Sequence, residues 1–346
     1  MKRILVHRLG SLGDTVVALP ALRLIRHRFP DAEITVLTNP PVSGKAAPLE
    51  AVLENTGLYD SLLRYRIGMR EPGEFLKLRD SIRSGRFDLG ISLAAFRGLP
   101  GSLRDVLFFK ATGIPRMMGI PFRREDREPR FLPTGLYESE TSRLVRRVRS
   151  LGEIDLDEPR WWDLGLRPEE EECARELLAA AGINGPFLAA SVGTKVPMKD
   201  WGQPNWETLF GKIRELPAVF LGAEDEGERS LALAAGSRAS TADFCGKTSP
   251  RISAAILRRA ALFLGHDSGP MHLAACSGVP CVAIFSARNP PGQWFPHGKE
   301  NTILYPKLPY KRELMDDFDY QKRAMATITP EEAFAAIASY SGRFSK

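Results

Sequence analysis

Residues 2–20, KRILVHRLGSLGDTVVALP, contain the strand, the glycine turn and the helix start that decide the fold of this chain. Lys2–His7 is an apolar run that predicts a β-strand, and the following GSLGD predicts a turn. Apolar side chains then recur at helical spacing from Thr15 to Phe29, although Pro20 is expected to kink or interrupt this helix. A second strand is predicted at Glu33–Thr38. This β-α-β order indicates a parallel sheet with a right-handed crossover.

The rest of the chain repeats this alternation, and a length of 346 residues suggests two domains. Further strands are predicted at Leu62–Tyr65, Asp88–Leu93, Phe187–Val192, Ala218–Leu221, Leu262–Gly265 and Cys281–Phe285. Helices are predicted at Thr141–Leu151, Glu169–Ala181, Asn205–Glu215, Glu226–Ala235, Ile252–Ala260, Pro270–Ser277 and Pro330–Tyr340. The Arg-rich and Pro-rich residues 116–133 indicate a loop, and the segment 155–168 indicates an interdomain linker.

Positive charge is concentrated in the first half of the chain. Residues 1–150 contain 26 Lys and Arg against 16 Asp and Glu, a net +10, whereas residues 151–346 contain 22 against 26, a net −4. This asymmetry suggests that the first half meets an anionic partner, with a merely solvated basic face as the alternative. No helix-turn-helix, RNP or zinc-finger pattern supports nucleic acid, and an acidic small molecule or an anionic lipid head group fits the charge equally well.

Composition places the chain among ordinary globular proteins without a membrane span. No stretch reaches the roughly 18 apolar residues that a span needs, and no signal peptide is predicted. The four cysteines, at positions 173, 245, 276 and 281, form no C-x-x-C pair and are expected to be free thiols in a reducing cytoplasm. We find no D-x-D pair that would hold a divalent ion, so no metal site and no cofactor are expected.

The most specific segment is LGHDSGPMHLAA at residues 264–275, where a strand ends in a small-residue turn and a helix opens with Pro270. Amide N–H groups from Ser268 to Met271 are expected to point at one spot, which suits a pyrophosphate. Asp267 and the Ser268 hydroxyl add polar contacts. His272 is either a core histidine of the new helix or a residue that lines the site.

Two further strand ends carry charged residues. The segment GTKVPMKDWGQPNW at residues 193–206 supplies Lys199, which is either solvated or able to neutralise a phosphate. The segment GAEDE at residues 222–226 supplies carboxylates that either accept from ribose hydroxyls or stabilise a helix N-terminus. Asp14 has the same ambiguity, because a carboxylate at a helix start is a favourable cap as well as a candidate general base at the edge of the sheet.

These segments together resemble glycosyltransferase family nine, the ADP-heptose:lipopolysaccharide heptosyltransferases. RLGSLGDTVVALPAL at residues 8–22 is similar to that family's R-x-G-x-x-G-D-x-x-x-x-x-P-x-L start, and HDSGPMHLAACSGVPCVAIF at residues 266–285 resembles its D-T-G-x-x-H-L-A-A-x-x-G-x-P motif. KDW at residues 199–201, the acidic stretch of residues 222–226 and WFPHG at residues 294–298 resemble further motifs in the same order. Ser268 replaces the usual Thr, and Gly202 stands where Pro often follows.

The resemblance implies an α/β fold of the GT-B class, with two Rossmann-like domains whose parallel sheets face a central cleft. It implies an N-terminal acceptor-binding domain over residues 1–163, a C-terminal nucleotide-sugar-binding domain over 164–325 and a C-terminal helix over 326–346. Asp14 would be the catalytic base. The implied donor-binding residues are Gly13, Thr194, Lys199, Glu226, Asp267, Ser268, Gly269, Pro270 and His272.

The implied activity is an inverting, metal-independent transfer of heptose from ADP-heptose to an anionic glycolipid or saccharide, as in lipopolysaccharide core synthesis. The enzyme would be cytoplasmic, with peripheral contact at the inner face of the inner membrane. Arg123 and Arg124, in the predicted basic loop, are the candidate acceptor-binding residues. Alternatives are a same-family transferase with another nucleotide sugar or acceptor (O-antigen, capsule, glycoprotein or antibiotic), an NAD-dependent oxidoreductase, which the missing G-x-G-x-x-G fingerprint disfavours, and a non-catalytic sugar-nucleotide binding module.

Overall fold

The computed structural model describes residues 2–40, 47–69 and 71–344 of the chain. The chain divides into two compact units, Met1–Trp162 and Asp163–Lys346, so the division falls within the segment in which a linker was expected. Residues 326–346 belong to the second unit. Among the described residues, no helix is both long enough and apolar enough to span a bilayer.

Unit 1 is built on a five-stranded sheet in which every neighbouring pair of strands is parallel. The strands are β1 Arg3–His7, β2 Glu33–Thr38, β3 Ser61–Arg64, β4 Leu89–Ser92 and β5 Met117–Met118. They lie in the order β3-β2-β1-β4-β5. The helices are α1 Leu12–Arg28, α2 Glu50–Leu53, α3 Pro72–Ser84, α4 Gly98–Ala111, α5 Arg124–Arg127 and α6 Glu140–Arg147, with 3-10 turns at Arg149–Leu151 and Pro159–Trp161.

Unit 2 repeats the design with six parallel strands in the order β11-β10-β9-β6-β7-β8. The strands are β6 Leu188–Ser191, β7 Ala218–Phe220, β8 Thr241–Asp243, β9 Leu262–His266, β10 Cys281–Ile284 and β11 Thr302–Leu304. The helices are α7 Pro168–Ala180, α8 Gln203–Lys212, α9 Gly227–Ala234, α10 Pro250–Leu257, α11 Gly269–Cys276, α12 Phe318–Met325 and α13 Pro330–Ala338. Single 3-10 turns lie at Pro197–Lys199, Glu224–Glu226, Arg312–Leu314 and Ser341–Arg343.

Both strand orders are those of the Rossmann fold, in which a ligand binds outside the carboxyl ends of the strands at the point where the order reverses. In unit 1 that point lies between β1 and β4, and in unit 2 it lies between β6 and β9. The core of unit 2 joins strand side chains with Trp201 and Trp206 and with Ile337 of α13. The C-terminal helix is therefore part of the packing that supports β6 and β9.

The expected interruption at Pro20 is wrong, because α1 runs unbroken for 17 residues with Pro20 inside it. Eleven residues of α1 are buried, in a run from Gly13 to Ile25. Since tertiary packing supplies most of the stability of a helix in a protein, this burial outweighs the one backbone hydrogen bond that proline cannot make. The helix predicted over Thr141–Leu151 instead ends at Arg147, and a 3-10 turn follows.

The segment 116–133, predicted as loop, contains two regular elements. Met117 and Met118 pair with β4 as the edge strand β5, and α5 supplies one helical turn. No helix was predicted at α3 or α4. The first turn of α4 contains Gly98, Pro100 and Gly101, which are turn-forming residues in isolation, so the helix depends on burial of residues such as Phe109 against the sheet.

Candidate active site

The turn between β9 and α11 begins the site in unit 2. A Cβ added to Gly265 would lie 2.8 Å from the Ser191 carbonyl oxygen, so a side chain there would push β9 away from β6. Ser268 is the N-cap of α11 in an extended conformation, and its buried hydroxyl has no hydrogen-bond partner in the parts of the chain that the structure describes. The amides of Ser268, Gly269 and Met271 remain as the expected donors, because Pro270 has no N–H.

Lys199 and Asp267 form the centre of the site. The Lys199 Nζ lies 2.6 Å from Asp267 Oδ2, and the two side chains are 12% and 6% exposed. The Asn289 amide donates to the same carboxylate oxygen at 3.2 Å, while His272 Nε2 lies 3.9 Å from Asp267 Oδ1. Two side chains that lie far apart in sequence are thus joined at the switch point of the sheet. A cation in this position can attract a phosphate group next to the start of α11.

The loop that carries Lys199 is fixed through Asp200 and Trp201. Arg229 donates to both oxygens of Asp200 at 3.0 and 3.1 Å, and the Gly202 amide donates to Oδ1 at 3.1 Å. Burial raises the pKa of Asp200, but the hydrogen bonds from Arg229 and Gly202 outweigh burial and leave the pKa below its usual value. The Trp201 indole N–H donates to the Ile328 carbonyl at 2.8 Å. Lys199 therefore projects from a short, braced turn.

His266 connects this loop to the ends of β6 and β9. Its side chain is fully buried, the Trp201 amide donates to Nε2 at 3.0 Å, and Nδ1 lies 3.1 Å from the Gly193 carbonyl oxygen. Since Nε2 accepts, the proton of the neutral ring is on Nδ1 and is donated to Gly193. Burial lowers the pKa of His266 to about 4, so the ring is neutral at physiological pH.

Glu226 reaches the same edge of the sheet from the end of β7. A Cβ added to Gly193 or to Gly222 would lie 2.1 Å from the Glu226 carboxyl group, so both glycines leave the space that this side chain occupies. Burial raises the pKa of Glu226, although hydrogen bonds from the Ala223 and Gly193 amides oppose the increase. Thr194 lies beside Gly193, and its hydroxyl accepts from the Val196 amide at 3.3 Å.

Unit 1 contains the Gly10–Asp14 turn at the carboxyl end of β1. Gly10 has a φ of +136°, and an added Cβ would lie 2.3 Å from the Asp14 Cβ, so this position requires glycine. The Ser11 amide donates to Asp14 Oδ2 at 2.9 Å, and the buried Arg8 guanidinium lies 3.7 Å from Oδ1. The Asp14 side chain is 38% exposed. Asp14 caps α1 and at the same time presents an accessible carboxylate. The geometry is therefore compatible with a helix cap and with a general base. Gly13 is buried in the first turn of α1.

A family comparison identifies the chain. The model of glycosyltransferase family 9 (heptosyltransferase) matches residues 75–323, which is more than two thirds of the sequence. The chain belongs to glycosyltransferase family 9. The match contains every predicted donor residue of unit 2 but not the Gly10–Asp14 turn, which precedes it. A search of curated proteins gave no significant match.

Solved structures show the fold of this glycosyltransferase independently. A family 9 glycosyl transferase from Veillonella parvula has a TM-score of 0.75 and 21% identity, with 98% of this chain and 97% of that chain covered. The ADP-heptose lps heptosyltransferase II of E. coli has a TM-score of 0.69 and 18% identity, with both chains covered completely. E. coli heptosyltransferase WaaC with ADP-2-deoxy-2-fluoro heptose has a TM-score of 0.65 and 15% identity over 97% and 99% of the two chains. The predicted GT-B class of two Rossmann-like domains with parallel sheets is confirmed.

The candidate acceptor residues of the glycosyltransferase lie on the surface of unit 1. Arg123 immediately precedes α5 and lies 3.7 Å from Glu125, and its side chain is largely exposed. Arg124 is the first residue of α5 and is also exposed. Glu125 also pairs with Arg130 and Arg149, so part of the positive charge of this basic segment is neutralised locally.

Sequence reasoning missed Asn289, Arg229 and the bridging role of His266. Asn289 follows β10, so the rule that polar residues at strand ends form the site could have found it. Arg229 had no signal in the sequence, because its contact with Asp200 exists only after folding.

The expected absence of a D-x-D pair is wrong, since Asp155-Leu156-Asp157 and Asp317-Phe318-Asp319 both occur. Asp155 accepts from the Asp157 amide at 2.9 Å, and Asp317 caps α12.

Proposed function

We propose that this family 9 enzyme transfers a heptose or related sugar from an ADP-sugar to an anionic glycolipid or oligosaccharide, with inversion and without a metal ion. The observation that carries the proposal is the Lys199–Asp267 pair beside the N-terminus of α11, at the switch point of a Rossmann sheet. Family membership supports sugar transfer. The similar E. coli enzyme with ADP-2-deoxy-2-fluoro heptose supports the choice of donor.

In this proposal the donor diphosphate lies against unit 2. Lys199 supplies a cation, and the amides at the start of α11 supply hydrogen bonds. The Ser268 hydroxyl, which has no hydrogen-bond partner among the described residues, supplies another. Glu226 accepts from ribose hydroxyls. These groups are preorganised around the place where negative charge develops on the leaving ADP, which is the most effective form of electrostatic stabilisation. His272 lines the site, with its ring centroid 5.9 Å from that of Trp294.

Asp14 is the proposed general base. Its carboxylate removes the proton of an acceptor hydroxyl while that oxygen attacks the anomeric carbon from the face opposite the diphosphate. The new C–O bond forms as the bond to the diphosphate breaks, and the leaving ADP takes the electron pair. The Ser11 amide and Arg8 hold the carboxylate in place, and its partial exposure leaves it open to the acceptor.

Two variants separate donor binding from chemistry. Asp14→Asn is expected to keep donor binding but to lose transfer by about 10²–10⁴-fold, as for the removal of a general base. Lys199→Ala is expected to weaken donor binding, with Lys212→Ala on the surface of α8 as its matched control. Transfer by Asp14→Asn within a few-fold of the parent enzyme would exclude this base.

A donor screen decides between ADP-heptose and another nucleotide sugar. The chain is heated with ADP-, GDP- and UDP-sugars, and the melting temperatures are compared. A ligand at 100 times its Kd adds about 2.7 kcal/mol, which is roughly 5–10 °C for a unit of this size. A larger shift with GDP- or UDP-sugars would favour the alternative donor, and donor binding without product formation would favour a non-catalytic binding module.

A further inference from the structure

The outward face of α4 is apolar where a surface helix is normally polar. Ser102 and Phe109 are buried on the inner side of this helix, while Leu99, Leu103 and Leu107 are 46%, 53% and 58% exposed. The three leucines are spaced four residues apart and therefore form one stripe along the helix. Large apolar side chains in a continuous row at a surface indicate an interaction site, whereas single ones do not.

The neighbouring helix α3 also has exposed apolar side chains. Phe75 and Leu76 of α3 are exposed, and the Phe75 ring packs against Phe108 of α4 with centroids 6.4 Å apart. In the described part of unit 2 the exposed large apolar residues lie one by one on three different helices, at Leu231, Phe318 and Phe334. In unit 1, further exposed apolar residues are Ile67 and, in the segment between β5 and α6, Phe122, Phe131, Leu132 and Leu136. The α4 leucines differ from these because they form a regular stripe along one helix.

Positive charge is concentrated in the same part of the chain. Arg104 and Lys110 are exposed on α4. At 100° per residue, Lys110 points in the same direction as the leucine stripe, and Arg104 lies beside its edge. The one acid of α4, Asp105, lies on the other side of the helix and pairs with Arg97 and Arg104. Residues 61–124 contain 13 Lys and Arg against 5 Asp and Glu, a net +8 of the +10 in residues 1–150.

We propose that the α4 face, which consists of Leu99, Leu103, Leu107, Arg104 and Lys110, docks on the surface of an anionic lipid bilayer. A leucine stripe bordered by cations is the arrangement that enters the boundary between head groups and acyl chains. A second copy of the chain is a poorer occupant, because it would bring two surfaces of the same charge together. The inference rests on the proposed function in one respect, since a lipid-linked acceptor must be reached at a membrane.

The test measures binding of the full chain to sedimented vesicles that contain no acceptor. One set contains phosphatidylglycerol and the other phosphatidylcholine alone. We expect binding to the anionic vesicles that falls with added salt. Leu103→Ser/Leu107→Ser should weaken it roughly tenfold or more, because two apolar side chains no longer enter the bilayer. The matched control is Leu231→Ser, which replaces a leucine of equal exposure, 57%, in unit 2.

Three results would overturn the proposal. The first is vesicle binding that the double variant leaves unchanged, and the second is equal binding to neutral and anionic vesicles. The third is self-association of the parent chain, without lipid, that the double variant abolishes, since this would assign the face to a second copy. Transfer to a soluble acceptor fragment should be the same in the parent and the double variant. If the parent chain transfers no sugar yet binds vesicles as expected, the proposed function fails and the docking surface stands.

Discussion

Replacement of His266 by phenylalanine would test whether the buried imidazole holds the proposed donor site in place. The ring is fully buried and satisfies two backbone groups, the Trp201 amide at 3.0 Å and the Gly193 carbonyl at 3.1 Å. Phenylalanine fills most of the space but bonds to neither group. Each buried polar group left without a partner costs about 1–3 kcal/mol. We therefore expect His266→Phe to lower the stability of unit 2 by about 2–6 kcal/mol at pH 7.5.

The same variant changes how the stability of unit 2 depends on pH. The pKa of His266 is lowered from 6.5 to about 4 in the folded state. Between these values the unfolded chain binds the proton more readily, so stability is lost as pH falls from about 6.5 towards 4 and is unaffected above that range. At pH 4.5 the loss from this group is about 2–3 kcal/mol, or roughly 5–10 °C in melting temperature. His266→Phe has no imidazole to titrate at this position, so it should not show this loss of stability at low pH.

Scanning calorimetry at pH 7.5 and 4.5 measures both effects. His266→Gln is the companion variant, because its amide oxygen can still accept from Trp201 and should recover part of the stability at pH 7.5 while removing the titration. His27→Phe, at an exposed position, is the matched control. A His266→Phe protein as stable as the parent at pH 7.5, with the same loss at pH 4.5, would refute the bridging role.

Three further predictions concern the reaction. Transfer should persist in excess EDTA, and an activity that is lost and then restored by Mg²⁺ or Mn²⁺ would contradict the metal-independent proposal. Arg123→Ala/Arg124→Ala should raise the acceptor KM and weaken its salt dependence while the donor KM stays constant; unchanged acceptor kinetics would leave these arginines without a role. Gly193→Ala should displace the Glu226 carboxylate, since the new Cβ would lie 2.1 Å from it, and raise the donor KM by about 10–100-fold. Gly185→Ala, where an added Cβ meets nothing within 4 Å, is its control.

Local patterns in the sequence were sufficient for the class of fold and for most strand positions. The glycine turn before Asp14 and the strand, turn and helix around Asp267 each lie within about a dozen consecutive residues, so the chain shows their chemistry without any knowledge of distant contacts. Because these patterns are local, they also led to the wrong prediction at Pro20 and to the missed helix α4. Pro20, and the glycines and proline at the start of α4, favour other structures in isolation, and only burial against the sheet overrides those preferences.

The pairings within the site were decided by tertiary structure. Lys199 and Asp267 are 68 residues apart, and His266 bonds to groups 65 and 73 residues away. No spacing rule connects such positions, because the contact arises from the order of the strands, which places β9 next to β6. Tertiary structure also decided which leucines of α4 are exposed. Apolar spacing predicts that a face will be covered, but the layer that α3 and α4 form on the sheet determined which leucines stayed outside it.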